Sequence, residues 1–149
     1  MRARQAGFTL IELLVVITLI AIASSVVTLA MRDPAATRLE QEAARLGALL
    51  EMARAESRAA GLQARWEPRS GQQDVPGFRF IGFPDSAQLP GHWLNPGVSA
   101  DVPGARAVVL GPEPMIGAQR IVLRLDNQQL VLATDGLGPF NVVGNEAAP

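Results

Sequence analysis

Hydrophobic and polar positions along the chain follow three successive rhythms. Residues 8–30 are apolar apart from Thr9, Glu12, Thr18, Ser24, Ser25 and Thr28, and no arginine falls between Phe8 and Met31. About 20 mostly apolar residues in a helix cross a bilayer, so this run predicts a transmembrane helix. Residues 31–61 then switch to helical spacing. Leu39, Ala43, Leu46, Leu50, Ala53 and Ala60 fall close to a heptad rhythm, while Glu40, Gln41, Glu42, Arg45, Glu51, Arg54 and Arg58 fill much of the remainder. Asp33-Pro34 reads as N-cap and first helical residue, and Gly61 as C-cap. The charged pairs Arg38/Glu42 and Glu42/Arg45 read as a solvated helix face. If the two helical stretches join through a bend near Pro34, residues 8–60 form one stalk of about 80 Å at 1.5 Å per residue.

After Gly61 the period falls towards two, and glycine and proline become frequent. Candidate strands are residues 62–66, 78–83, 106–110, 120–125, 129–133 and 140–143, with turns at Asp126-Asn127 and Asp135-Gly136. The best hairpin is 120–133, in which Ile121, Leu123 and Leu125 share one face. Residues 70–77 and 88–104 are rich in Gly, Pro, Ser, Asn and Asp and read as surface loops, with Trp93 covering the edge of the core. The expected fold class is α+β: a long N-terminal helix, transmembrane in its first half and amphipathic in its second, packed on an antiparallel β-sheet or β-sandwich-like domain over residues 62–149.

Charge sets the orientation. Arg2 and Arg4 precede the apolar run, so the positive-inside bias places the N-terminus in the cytoplasm and everything after about Arg32 on the far side of the membrane. Thirteen arginines and no lysine stand against 14 acids. Beyond Arg124 there is no basic residue, which makes nucleic-acid binding an unexpected use of the C-terminal stretch. The chain has no cysteine, and His92 is its one histidine, so a zinc site lacks its usual ligands. There is no Gly-x-Ser-x-Gly elbow and no phosphate-cradling glycine loop. No catalytic residue, metal site or cofactor is expected.

Glu12 remains to be explained. A carboxylate at the centre of a transmembrane helix costs about 2.5–3.5 kcal/mol on insertion scales, and such a residue calls for a partner. Two simpler readings of this region leave it without one. Ala21-Ile22-Ala23 before Ser24 resembles a secretory cleavage site, and the run could be a plain anchor.

Gly7-Phe8-Thr9-Leu10-Ile11-Glu12, followed by Leu13-Leu14-Val15-Val16, resembles the signal of the type IV pilin and type II secretion pseudopilin superfamily. The resemblance implies that prepilin peptidase removes residues 1–7 by cutting between Gly7 and Phe8, and that the new α-amino group of Phe8 is methylated. Phe8 and Glu12 then become the assembly residues. The α-amino group is cationic at neutral pH, and in a filament it can lie beside Glu12 of a neighbouring subunit. Such a buried pair adds little net stability, but leaving either charge alone is costly, so it sets axial register.

The rhythm of residues 39–61, Leu110-Gly111-Pro112-Glu113-Pro114, Arg120-Ile121-Val122-Leu123 and Thr134-Asp135-Gly136-Leu137-Gly138-Pro139-Phe140 is similar to the minor pseudopilin H (GspH/FimT-like) family. That resemblance implies a structural subunit near the tip of a periplasmic pseudopilus. It also implies an inner-membrane location and a set of partners: minor pseudopilins I, J and K, major pseudopilin G, the inner-membrane assembly platform and exoprotein cargo. The alternative is a minor type IV pilin of the FimT/FimU kind, acting in pilus assembly or DNA uptake.

Overall fold

The computed structural model describes residues 9–30, 34–69, 77–87 and 89–144, and within the first helix it describes the side chains of residues 10–23. Its class is α+β, as expected. The chain divides into two compact units, residues 1–33 and 34–149. Gly7 and Phe8, the N-cap expected at Asp33, and residues 70–76 and 88 of the expected loops lie outside the described residues.

The first unit holds α1, Leu10–Ala30. Its apolar side chains are exposed all round, from 42% at Val16 to 82% at Leu10. A helix that is apolar on every side requires burial by lipid or by other helices. Among the described residues no helix is long and apolar enough to cross a membrane.

The second unit begins with α2, Pro34–Ala60. Its buried stripe is Ala35, Leu39, Glu42, Ala43, Leu46, Gly47, Leu50, Ala53, Arg54 and Ser57, which keeps the three- and four-residue spacing of one helix face. Ala60, expected on this stripe, is exposed. The helix ends in a Schellman closure: Gly61 adopts φ +66°, the Leu62 amide donates to Ser57 O at 2.9 Å, and Ser57 Oγ donates to Leu62 O at 2.6 Å.

Among the described residues seven strands follow, in two antiparallel sheets. The first has the order β2-β1-β4, with β1 at Arg65–Arg69, β2 at Gly77–Ile81 and β4 at Val108–Val109. The second has the order β3-β5-β6-β7, with β3 at Ser99–Asp101, β5 at Gln119–Leu125, β6 at Gln128–Thr134 and β7 at Asn141–Val142. The β5–β6 hairpin turns on Asp126-Asn127, and Asp126 takes the left-handed φ of 52°. Ile121, Leu123 and Leu125 all face inward, opposite Leu130 and Leu132, and α2 packs over this face. Gln119 ties the sheets together: its Oε1 accepts the Val109 amide at 2.7 Å and its Nε2 donates to Val109 O at 2.9 Å.

Several expected boundaries move for local reasons. The first strand begins at Arg65 rather than residue 62, because residues 62–64 are engaged in closing α2 and in the bond from the Leu110 amide to Ala64 O. The second begins at Gly77, placed above in a loop, and ends before Gly82 at φ +93°. The strand expected over 106–110 shortens to the two residues that face Arg65 and Trp66. β3 lies inside the expected loop 88–104, where Ala100 pairs with Leu123. Trp93 does cover the core edge: it is 8% exposed, with its ring 4.6 Å from that of Phe78.

Candidate assembly site

Two regions can carry an assembly function: the start of α1 and the outer surfaces of the second unit. At the start of α1, Thr9 is the N-cap. Its carbonyl accepts the amides of Glu12 at 3.1 Å and Leu13 at 3.2 Å, and its Oγ1 also accepts the Glu12 amide at 3.3 Å. Threonine suits this position because its hydroxyl satisfies an amide that the first turn leaves unpaired. Glu12 therefore occupies the third helical position, where the helix dipole favours a negative charge. It is exposed, as are the apolar residues around it. The site is one carboxylate, pre-oriented by a capped first turn, on a helix with no polar face to keep it in water.

On the second unit, α2 carries two charged side chains in its buried stripe, and each fixes a loop. Glu42 is 1% exposed. Its Oε1 accepts from the Asn95 amide at 2.7 Å and from Asn95 Nδ2 at 3.0 Å, while Arg45 approaches Oε2 at 3.6 Å and donates to His92 O at 3.0 Å. Glu42, expected on a solvated face, is thus buried and holds residues 92–95 through Asn95, while the half-exposed Arg45 reaches His92 O from the helix surface. The reason is geometric: position 42 lies three residues after Leu39 and four before Leu46, on the face that packs inward.

Arg54 is the second anchor, 2% exposed. It donates to Gly138 O at 2.9 Å, to Gly136 O at 3.4 Å and to Glu51 Oε1 at 3.1 Å, and that same Glu51 oxygen accepts the Phe140 amide at 3.3 Å. The loop it holds is further braced from within. Thr134 Oγ1 donates to Gly138 O at 2.7 Å, and Asp135 Oδ1 accepts the amides of Leu137 at 2.9 Å and Gly138 at 2.7 Å. Those amide bonds, Gly138 first and Leu137 second, hold the Asp135 carboxyl below the usual carboxylate range, with Arg54 adding a smaller pull. Gly136 sits at φ +93°, and a Cβ there would fall 2.6 Å from the Gly117 backbone. Its carbonyl accepts the Ile116 amide at 3.3 Å. The stretch 134–140 singled out above is therefore fixed on one side by Arg54 and Glu51 of α2 and on the other by residues 116 and 117. Sequence reasoning missed Glu42 and Arg54 as anchors, although their positions on the apolar stripe were a usable signal.

The described residues hold no group of three His, Cys, Asp or Glu side chains that could bind a metal.

Comparison with known proteins bears on the first region. Residues 2–28 match the family model described as the prokaryotic N-terminal methylation motif. The chain carries a type IV pilin-like signal. The match spans the Arg2/Arg4 leader, Gly7, Phe8, Thr9, Glu12 and most of α1, and it supports the pilin-like superfamily. A pilin-like signal implies processing by prepilin peptidase, an N-terminal membrane anchor and assembly with other pilin-like subunits. No curated protein and no solved structure gives a match to the chain.

Proposed function

We propose that this chain is a minor pseudopilin of the type II secretion system, a structural subunit near the tip of the periplasmic pseudopilus. The observation that carries the reading is Glu12, held at the third position of a capped helix that is apolar on every side and follows the Gly7/Phe8 junction of a pilin-like signal. Cleavage between Gly7 and Phe8 creates the cation that Glu12 pairs with. The full run 8–30 is long enough to anchor the unprocessed subunit in the inner membrane, with residues 34–149 in the periplasm. Within the filament the same run packs against neighbouring helices. The anchors at Glu42 and Arg54 fix residues 92–95 and 134–140 against α2.

Mass spectrometry of the membrane-extracted protein tests the first step. The expected chain begins at N-methylated Phe8, and a chain beginning at Ser24 would replace this reading with ordinary signal cleavage. Glu12→Val then tests the second: it should leave membrane insertion intact and reduce incorporation into filaments.

One observation favours a second reading, a minor type IV pilin that engages DNA. Arg65, Glu67 and Arg69 alternate onto the outward face of β1, beside Arg79 of β2. Glu67 accepts from Arg79 at 2.6 Å, so this face carries an excess of guanidinium groups. Binding to DNA would fall steeply with salt. A mobility-shift titration in low and high salt separates the two readings.

A further inference from the structure

Thr9-Leu10-Ile11-Glu12 has the spacing of a capping box, in which the hydroxyl of the N-cap residue accepts the amide three residues on and the carboxylate at that position accepts the N-cap amide in return. Half of the box is closed. The Glu12 amide donates to Thr9 Oγ1 at 3.3 Å and to Thr9 O at 3.1 Å, so the first turn is already set, and the return bond needs only a rotation of the Glu12 side chain.

The surroundings favour closure. A first turn leaves its leading amides without intrahelical acceptors, and among the described residues none meets those of Thr9, Leu10 and Ile11. Leu10 is 82% exposed, Ile11 71% and Leu13 55%, so lipid or a neighbouring apolar helix that covers these side chains covers the amides and the carboxylate as well. Each of those polar groups is costly to bury alone, and each satisfies the other. We infer that Thr9 is a positioning residue for assembly: it holds the Glu12 carboxylate in a closed capping box while the subunit is single, and the carboxylate passes from the Thr9 amide to the α-amino group of a second pilin-like subunit as the filament grows. Charge gives the exchange its direction. An amide offers a partial charge and the amino group a full one, so the cation displaces the cap, and until it arrives the carboxylate is not left buried and unpaired. The inference rests on the assembly reading of Glu12, and the two are tested apart.

Amide hydrogen exchange in the isotope-labelled full chain in detergent micelles reads the box directly. Glutamine closes a capping box as glutamate does but carries no charge, and valine does neither. The Thr9 amide should exchange within about twofold of the wild-type rate in Glu12→Gln and at least about tenfold faster in Glu12→Val. Glu12→Gln should nevertheless lose filament entry. In cells that hold the assembly system, Thr9→Val, counted only over chains processed to Phe8, should enter filaments about fivefold less than wild type, the ratio that a lost N-cap sets, and Thr9→Ser should restore entry. A Thr9 amide that exchanges alike in wild type and Glu12→Val, or as fast in Glu12→Gln as in Glu12→Val, overturns the box. Full entry of processed Thr9→Val overturns the positioning role. Full entry of Glu12→Gln with the Thr9 amide still protected overturns the ion-pair reading of Glu12 instead, and the hand-over with it.

Discussion

Replacing Arg54 with methionine isolates the clasp between α2 and the 134–140 loop, because methionine keeps an apolar stem of similar length and removes the guanidinium fork. Three contacts disappear: Gly138 O at 2.9 Å, Gly136 O at 3.4 Å and Glu51 Oε1 at 3.1 Å. A hydrogen bond to a charged group contributes about 1.5–3 kcal/mol, and an acceptor left buried without a donor adds its desolvation cost. The three losses do not sum. Glu51 is 33% exposed and regains water, which discounts its share, and the 3.4 Å contact is long. The Gly138 bond dominates, so the expected loss is about 2–3 kcal/mol, a thirty- to 150-fold fall in the folded ratio. Trp66 and Trp93, the only two tryptophans, are both buried in the second unit, so their fluorescence in a urea titration of the detergent-solubilised chain reports on that unit. With m near 1–2 kcal/mol/M the midpoint should fall by about 1–3 M. Arg58→Met, at an exposed position on the last turn of the same helix, is the control. A loss below about 1 kcal/mol, or one no larger than the control's, would refute the claim that Arg54 holds the loop.

Three further outcomes follow from the same geometry. Glu42→Ala should cost about 2–3 kcal/mol and remove hydrogen-exchange protection at the Asn95 amide, because that amide loses a charged acceptor at 2.7 Å; retained protection would show that the loop holds itself. Gly136→Ala should cost about 2–4 kcal/mol, since it adds left-handed strain to a clash with the Gly117 backbone, and the urea midpoint measures it. The Asp135 carboxyl is held below its unfolded value, so the stability it contributes is present above the unfolded value and is lost as pH falls through the lowered one. The midpoint should therefore drop in acid below the usual carboxylate range, and Asp135→Asn should flatten that part of the profile; an unchanged slope would assign the acid sensitivity elsewhere.

Much of the second unit was legible because its pattern is local. The stripe from Leu39 to Ala53 and the alternation of Ile121, Leu123 and Leu125 are readable within one element, and so is the turn at Asp126. β3 was readable in principle, since Val98, Ala100 and Val102 alternate as buried residues. Its three residues are embedded in turn-forming sequence, however, and its hydrogen-bonding partner lies more than twenty residues away in β5. Strand ends were the least legible, because they are set by pairing with a distant segment, as β4 is limited to the two residues that face Arg65 and Trp66.

The two regions of functional interest differ in the same respect. The N-terminal signal is written in consecutive residues: a junction to be cut at Gly7/Phe8, a capping threonine one residue later and a carboxylate three residues after that. All of it could be read before any fold was known. The clasp joins Arg54 to Gly136 and Gly138 across 82 and 84 positions, and nothing in the linear pattern of a helix says which distant carbonyl an inward arginine will meet. What the pattern can say is that an ionisable residue on an apolar stripe must meet something, since a buried charge without a partner is strongly destabilising. That argument singled out Glu12 at the outset. Applied equally to positions 42 and 54, it would have named both loop anchors from the spacing of the leucines alone.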